Sequence, residues 1–92
     1  MKIYVGQTNL TLSMITNVTL TNVTTALIKY IKPDSTEGSW TGTVNNTLVE
    51  YGFQTGDLNV SGTYTAWVYI TFSNGKISIG EPSTFIVYNQ GE

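Results

Sequence analysis

Residues 63–72 read TYTAWVYITF, ten positions in which one parity carries Tyr64, Ala66, Val68, Ile70 and Phe72 and the other carries Thr63, Thr65, Trp67, Tyr69 and Thr71. Successive side chains alternate faces only in a β-strand, so a run this regular with β-branched and aromatic residues fixes an extended backbone. The same period of two recurs along the chain and no stretch sustains helical periodicity. Strands are expected at residues 2–5, 10–14, 25–31, 39–44, 48–53, 63–72, 76–79 and 84–88. The punctuation agrees: Pro33-Asp34 with Gly38, then Asn45-Asn46, then Ser73-Asn74-Gly75, which reads as a type I′ hairpin signal. Pro82 opens the last run, where a missing N–H costs least. Short strands at this spacing indicate a sandwich or a small barrel.

The length of 92 residues suits one domain spanning the whole chain, large enough for its own core. Charged residues make up only 11%, less than half of the roughly 25% usual for soluble domains. Solubility must then come from Asn, Thr, Ser and Gly, a neutral surface suited to packing against neighbours. Four lysines against six acids give a net charge of −2, which offers no footprint for phosphate neutralisation and argues against nucleic acid as a partner. The start, MKIYVGQTNLTL, lacks the apolar core of a secretory signal, and no run approaches the ~18 apolar residues of a membrane span. The chain is therefore expected to work away from membranes and without export by the general pathway.

The stretch GDLNVSGTYTAWVYI, residues 56–70, carries an isolated leucine and a glycine ahead of Tyr64. In immunoglobulin-like sandwiches a tyrosine near the start of the penultimate main strand hydrogen-bonds back to the backbone just upstream. Leu58, Gly62 and Tyr64 fit that corner, with Leu58 closing the bottom of the core. The expected fold is thus an all-β, immunoglobulin-like antiparallel β-sandwich of seven to eight strands with a tyrosine corner. With Tyr64 inward, Ala26, Ile28, Tyr30, Val49, Tyr51 and Phe53 are also expected inside, around Trp40. Ala26 and Ala66 are expected where antibody domains keep their disulfide, leaving room for that tryptophan. Trp67 and Tyr69 point outward. If Phe85 and Val87 face the core, Ile86 and Tyr88 join them in one apolar patch, which is either a contact surface or a cross-strand pairing of exposed rings.

No catalytic, cofactor or metal site is expected. Histidine and cysteine are absent, and Asp34, Glu37, Glu50, Asp57, Glu81 and Glu92 form no carboxylate pair poised for acid–base work. Asp34 and Glu37 share a turn, and Asp57 reads as a turn former or a partner for the corner. No loop has the pattern of an EF-hand or a P-loop. Five N-x-[ST] triplets, at Asn9, Asn17, Asn22, Asn45 and Asn59, follow from a composition rich in Asn, Ser and Thr. The echo NVTLTNVTT at residues 17–25 is too short for a repeat architecture.

Four motifs in order add a resemblance. The K-P-D turn (Lys32, Pro33, Asp34), the D-L-x-x-x-G-x-Y corner (Asp57, Leu58, Gly62, Tyr64), the F-S-N-G hairpin (Phe72 to Gly75) and the closing P-x-x-F-x-V (Pro82, Phe85, Val87) span nearly all of the chain. Together they resemble the immunoglobulin-like module of tailed-phage virion proteins, such as the N-terminal domain of baseplate upper proteins and small stand-alone phage relatives. The resemblance implies a non-enzymatic virion component that decorates a capsid, neck, tail or baseplate. Its partner would be a larger capsid or tail protein, met in many copies through Trp67, Tyr69, Ile86 and Tyr88. The ending VYNQGE, with no linker helix or receptor platform, departs from the baseplate proteins and favours a short decoration protein. The alternative is a carbohydrate-binding module for host glycans, because aromatics beside Asn and Thr can stack on sugar rings.

Overall fold

The computed structural model describes residues 2–92, and every expected strand is there. In chain order the strands are β1 (Ile3–Tyr4), β2 (Thr11–Ile15), β3 (Val23–Ile31), β4 (Glu37–Thr41), β5 (Thr43–Asn45), β6 (Leu48–Gly52), β7 (Gly62–Phe72), β8 (Ile77–Ile79) and β9 (Ser83–Tyr88). Two sheets face each other. Sheet I has the order β1-β9-β7-β3-β4, with β8 also pairing β7, and sheet II has the order β2-β6-β5. All pairs are antiparallel except β1 with β9. The protein is an immunoglobulin-like β-sandwich.

Nine strands appear where seven to eight were expected, because the fourth run divides at Gly42. Residues before it pair with β3 in sheet I, and residues after it pair with β6 in sheet II. The crossing needs a close approach. The Gly42 N–H donates to the Ala26 carbonyl at 2.8 Å, and a Cβ at residue 42 would collide with Cγ1 of Val49. Only glycine lets the chain cross between sheets there.

Pleating sends Ala26, Ile28, Tyr64, Ala66, Val68, Ile70 and Val87 into the space between the sheets, all buried. Trp40 is buried as expected and centres an aromatic cluster. Its ring stacks on Tyr30 at 4.2 Å and on Tyr51 at 5.2 Å, and meets Phe53 edge-on at 5.2 Å. Phe85 then links Phe53 to Tyr64, whose ring it stacks on at 5.2 Å. The two alanines do not span the sandwich. Both lie in sheet I, where Ala66 is opposite Tyr30 and Ala26 is opposite Ile70. An antibody-type disulfide joins the two sheets, so Ala26 is not its counterpart.

The hairpin after β7 also differs from the expected type I′ turn, which needs positive φ at both central residues. Here only Gly75 is left-handed, at φ +84°. Gly75 N–H donates to the Phe72 carbonyl at 2.9 Å and Phe72 N–H to the Lys76 carbonyl at 2.9 Å. This is the three-residue loop in which a type I turn is closed by a left-handed residue. The K-P-D turn repeats it, with Ser35 N–H to Lys32 O at 2.9 Å, Lys32 N–H to Thr36 O at 2.8 Å and Ser35 at φ +72°.

Candidate functional site

The corner is built as the sequence suggests. Tyr64 is fully buried; its hydroxyl donates to the Val60 carbonyl at 2.8 Å and accepts from the Val60 N–H at 3.2 Å. Burial pushes the Tyr64 hydroxyl up from its ordinary pKa. Leu58 is buried beneath the loop. Gly62 sits at φ +126°, and a Cβ there would come within 2.8 Å of Pro33. The K-P-D turn therefore packs on the corner, and Lys32, almost wholly buried, donates from Nζ to Asn59 Oδ1 at 2.7 Å.

The acidic residues do structural work too. Asp57 Oδ2 accepts from the Tyr51 hydroxyl and from the Gln54 N–H, each at 2.7 Å, as a turn former and partner of the corner loop. Desolvation first, and then the Asp57 contact, push Tyr51 up to about 12. Asp34 Oδ1 accepts from the Thr36 N–H at 3.0 Å, and the hydrogen bonds from Thr36 hold its carboxyl below the usual range. Each of these groups is explained by the turn or ring it braces.

Trp67 and Tyr69 project from the outward face of sheet I, as the alternation requires. Trp67 lies opposite Lys29, and Tyr69 lies between Leu27 on β3 and Ile79 on β8. Lys29 Nζ sits 4.1 Å from the centre of the half-buried Tyr69 ring, a cation–π contact worth about 1 kcal/mol. Beside Trp67 lies an apolar depression of about 330 Å³ walled by Ile31, Thr65, Ile79, Gly80 and Pro82. Ile79 is 63% exposed on its rim.

Ile86 and Tyr88 share the face but not the spot. Register places Ile86 opposite Thr63, four residues from Trp67, or about 13 Å along the strand. Tyr88 turns to the β1 edge, 6.5 Å from the Tyr4 ring and under Lys2 Nζ at 4.6 Å. The face thus divides into a Trp67–Tyr69 centre and an Ile86–Tyr88 margin. Sequence reasoning did not bring Ile79, Leu27 and Ile31 to that centre. The signal was present: once the hairpin pairs Phe72 with Lys76, counting back in twos sets Tyr69 against Ile79.

A bound transition metal would need imidazole, thiolate or gathered carboxylate donors. The chain has no histidine or cysteine, and the described residues contain no group of three His, Cys, Asp or Glu able to hold a metal ion. The donor set does not fit such a site.

No family model matches the chain, and no curated protein matches it either. Among solved structures, CopC from Methylosinus trichosporium OB3b shares the architecture with a TM-score of 0.65 at 12% identity, over 99% of this chain and 87% of that one. At that identity the likeness establishes the fold and carries no ligand or activity across. It does overturn the expected virion role and the virion location, since CopC is not a virion component. The reason is visible in the four motifs that suggested a phage protein. Pro33 packs on Gly62, Tyr64 bonds Val60, Gly75 closes a hairpin and Phe85 stacks in the core. All four specify a sandwich, and none specifies a partner. The carbohydrate-binding alternative gains nothing from the comparisons.

Proposed function

We propose that the chain is a non-catalytic immunoglobulin-like interaction module whose working surface is the Trp67–Tyr69 centre of sheet I, engaging a protein partner. The observation that carries this reading is the apolar depression beside Trp67, walled by Ile31, Ile79 and Pro82. Exposed apolar centres rimmed by polar residues mark contacts, and Trp and Tyr are the side chains that most often anchor them. The partner places an apolar side chain in the depression and a carboxylate against Lys29. Absence of histidine and cysteine supports a binding role, because the residue types that most often supply acid–base and nucleophilic chemistry are missing.

The test is a photo-crosslinking amino acid at Ser39, beside the aromatic centre, in an extract of the source. The adduct is expected with wild-type Trp67 and Tyr69 and lost in Trp67→Ala/Tyr69→Ala, with thermal stability little changed. An adduct of equal yield in the double variant refutes the face.

A further inference from the structure

A second surface lies on the opposite side of the molecule's seam. Strand β2 is the edge of sheet II and has one neighbour, β6, among the described residues. Its sequence, TLSMI, contains no charge, proline or glycine, so it carries none of the devices that usually blunt an edge. Its five residues offer about 17 Å of half-paired backbone. Alongside it, the sandwich is open. Strand β9 pairs β7 only as far as Ala66, and β8 takes over from Tyr69. The gap leaves a cleft of about 360 Å³ between the sheets, bounded by Leu12, Met14 and Ile15 on one side and Val68, Phe85 and Glu81 on the other. A row of unpaired amides and carbonyls next to an apolar cleft accepts an extended strand with apolar residues at alternate positions. Glu81, the one charge on the cleft, calls for a basic residue on that strand.

The chain itself contains such a segment. Residues 76–79, Lys-Ile-Ser-Ile, include strand β8, already extended and paired on one side only, to β7. Ile77 and Ile79 are 52% and 63% exposed, and Lys76 precedes them. We propose that the protein self-associates by strand addition, with residues 76–79 of one copy pairing along β2 of another. Ile77 and Ile79, on one face of the strand, cover the cleft, and Lys76, which precedes β8, brings a positive charge to the rim beside Glu81. The contact joins unlike segments, and it shares Ile79 with the rim of the Trp67 depression.

The experiment is sedimentation of the purified chain from about 10 µM to 1 mM, with Ile15→Lys and Ile77→Lys as separate blocks, since both side chains are exposed and the substitutions leave the core untouched. Wild type is expected to associate as concentration rises, and each variant to weaken association at least tenfold while keeping its melting temperature. An equimolar mixture of the two variants, one carrying a mass tag, is expected to form a mixed species with near wild-type affinity, because one copy supplies an intact β2 and the other an intact β8. Hydrogen exchange at residues 12–15 is expected to slow with concentration in wild type. A wild type monomeric at 1 mM, variants that associate undiminished, or a mixture that associates no better than its components overturns the proposal.

Discussion

Replacing Tyr64 by Phe is the sharpest test of how this sandwich is held together. The ring keeps its volume and its stack on Phe85, so no cavity opens, and only the hydroxyl leaves. That hydroxyl serves both backbone groups of Val60, at 2.8 and 3.2 Å, in a part-buried loop. Losing a neutral hydrogen bond costs about 1 kcal/mol net, and leaving a buried carbonyl or amide unpaired adds about 1–3 kcal/mol. A loss of about 2 kcal/mol follows, which for a domain of this size lowers Tm by about 8–16 °C. Urea unfolding followed by tryptophan fluorescence should show the midpoint falling with an unchanged slope.

A pH arm sharpens the result. The Tyr64 hydroxyl is raised by burial and Tyr51 is raised to about 12, so between about pH 10 and 12 the unfolded chain has released protons that the native chain retains. The unfolded state then binds fewer protons, and stability falls as pH rises through that window. Tyr64→Phe should make the alkaline fall shallower while Tyr51 keeps its share. A midpoint within 0.3 kcal/mol of wild type, estimated at the precision of such measurements, or an unaltered alkaline slope, would refute the corner as a stabilising device.

Other substitutions follow the same geometry. Ser35 and Gly75 hold the same left-handed position in two matching hairpins, so Ser35→Gly should stabilise by about 0.5 kcal/mol and Gly75→Ser destabilise by about 1 kcal/mol in urea titrations. Gly62→Ala combines a φ of +126° with a Cβ 2.8 Å from Pro33, and a loss of about 2–3 kcal/mol is expected by calorimetry. Trp67→Ala/Tyr69→Ala should move Tm by only a few degrees, about 1 kcal/mol of cross-strand and cation–π contact, while abolishing the crosslink at Ser39.

The fold was legible because its constraints are local. Alternation at 63–72 set the longest strand, and the Leu58–Gly62–Tyr64 spacing set the loop that enters it. What stayed hidden is the set of relations between distant segments. Residues 39–44 alternate without interruption, and nothing local says that Thr41 and Thr43 belong to different sheets. That depends on Val49 standing where a residue-42 Cβ would go. Ala26 and Ala66 look alike in sequence, yet whether they face across sheets or along one is decided by the pairing of β3 with β7. The layout of the outward aromatic face was harder still. Parity told that Trp67, Tyr69, Ile86 and Tyr88 face outward, but the handover from β9 to β8 beside Val68 is what separates them.

The two faces of β7 also separate the residues that hold the fold from those that can change. The inner rings are tied to the loops: Tyr64 through Val60, Tyr51 through Asp57, and Trp40 through its stacks on Tyr30 and Tyr51. Removing any of them disturbs a corner or opens the core. Trp67 and Tyr69 sit on the other side of the same strand, half-buried, touching Lys29, Leu27 and Ile79 across strands. They stabilise the sheet modestly and can change without disturbing the core. A strand whose two faces are so divided lets the inward residues hold the sandwich while the outward ones change, and the same architecture is shared with CopC at 12% identity.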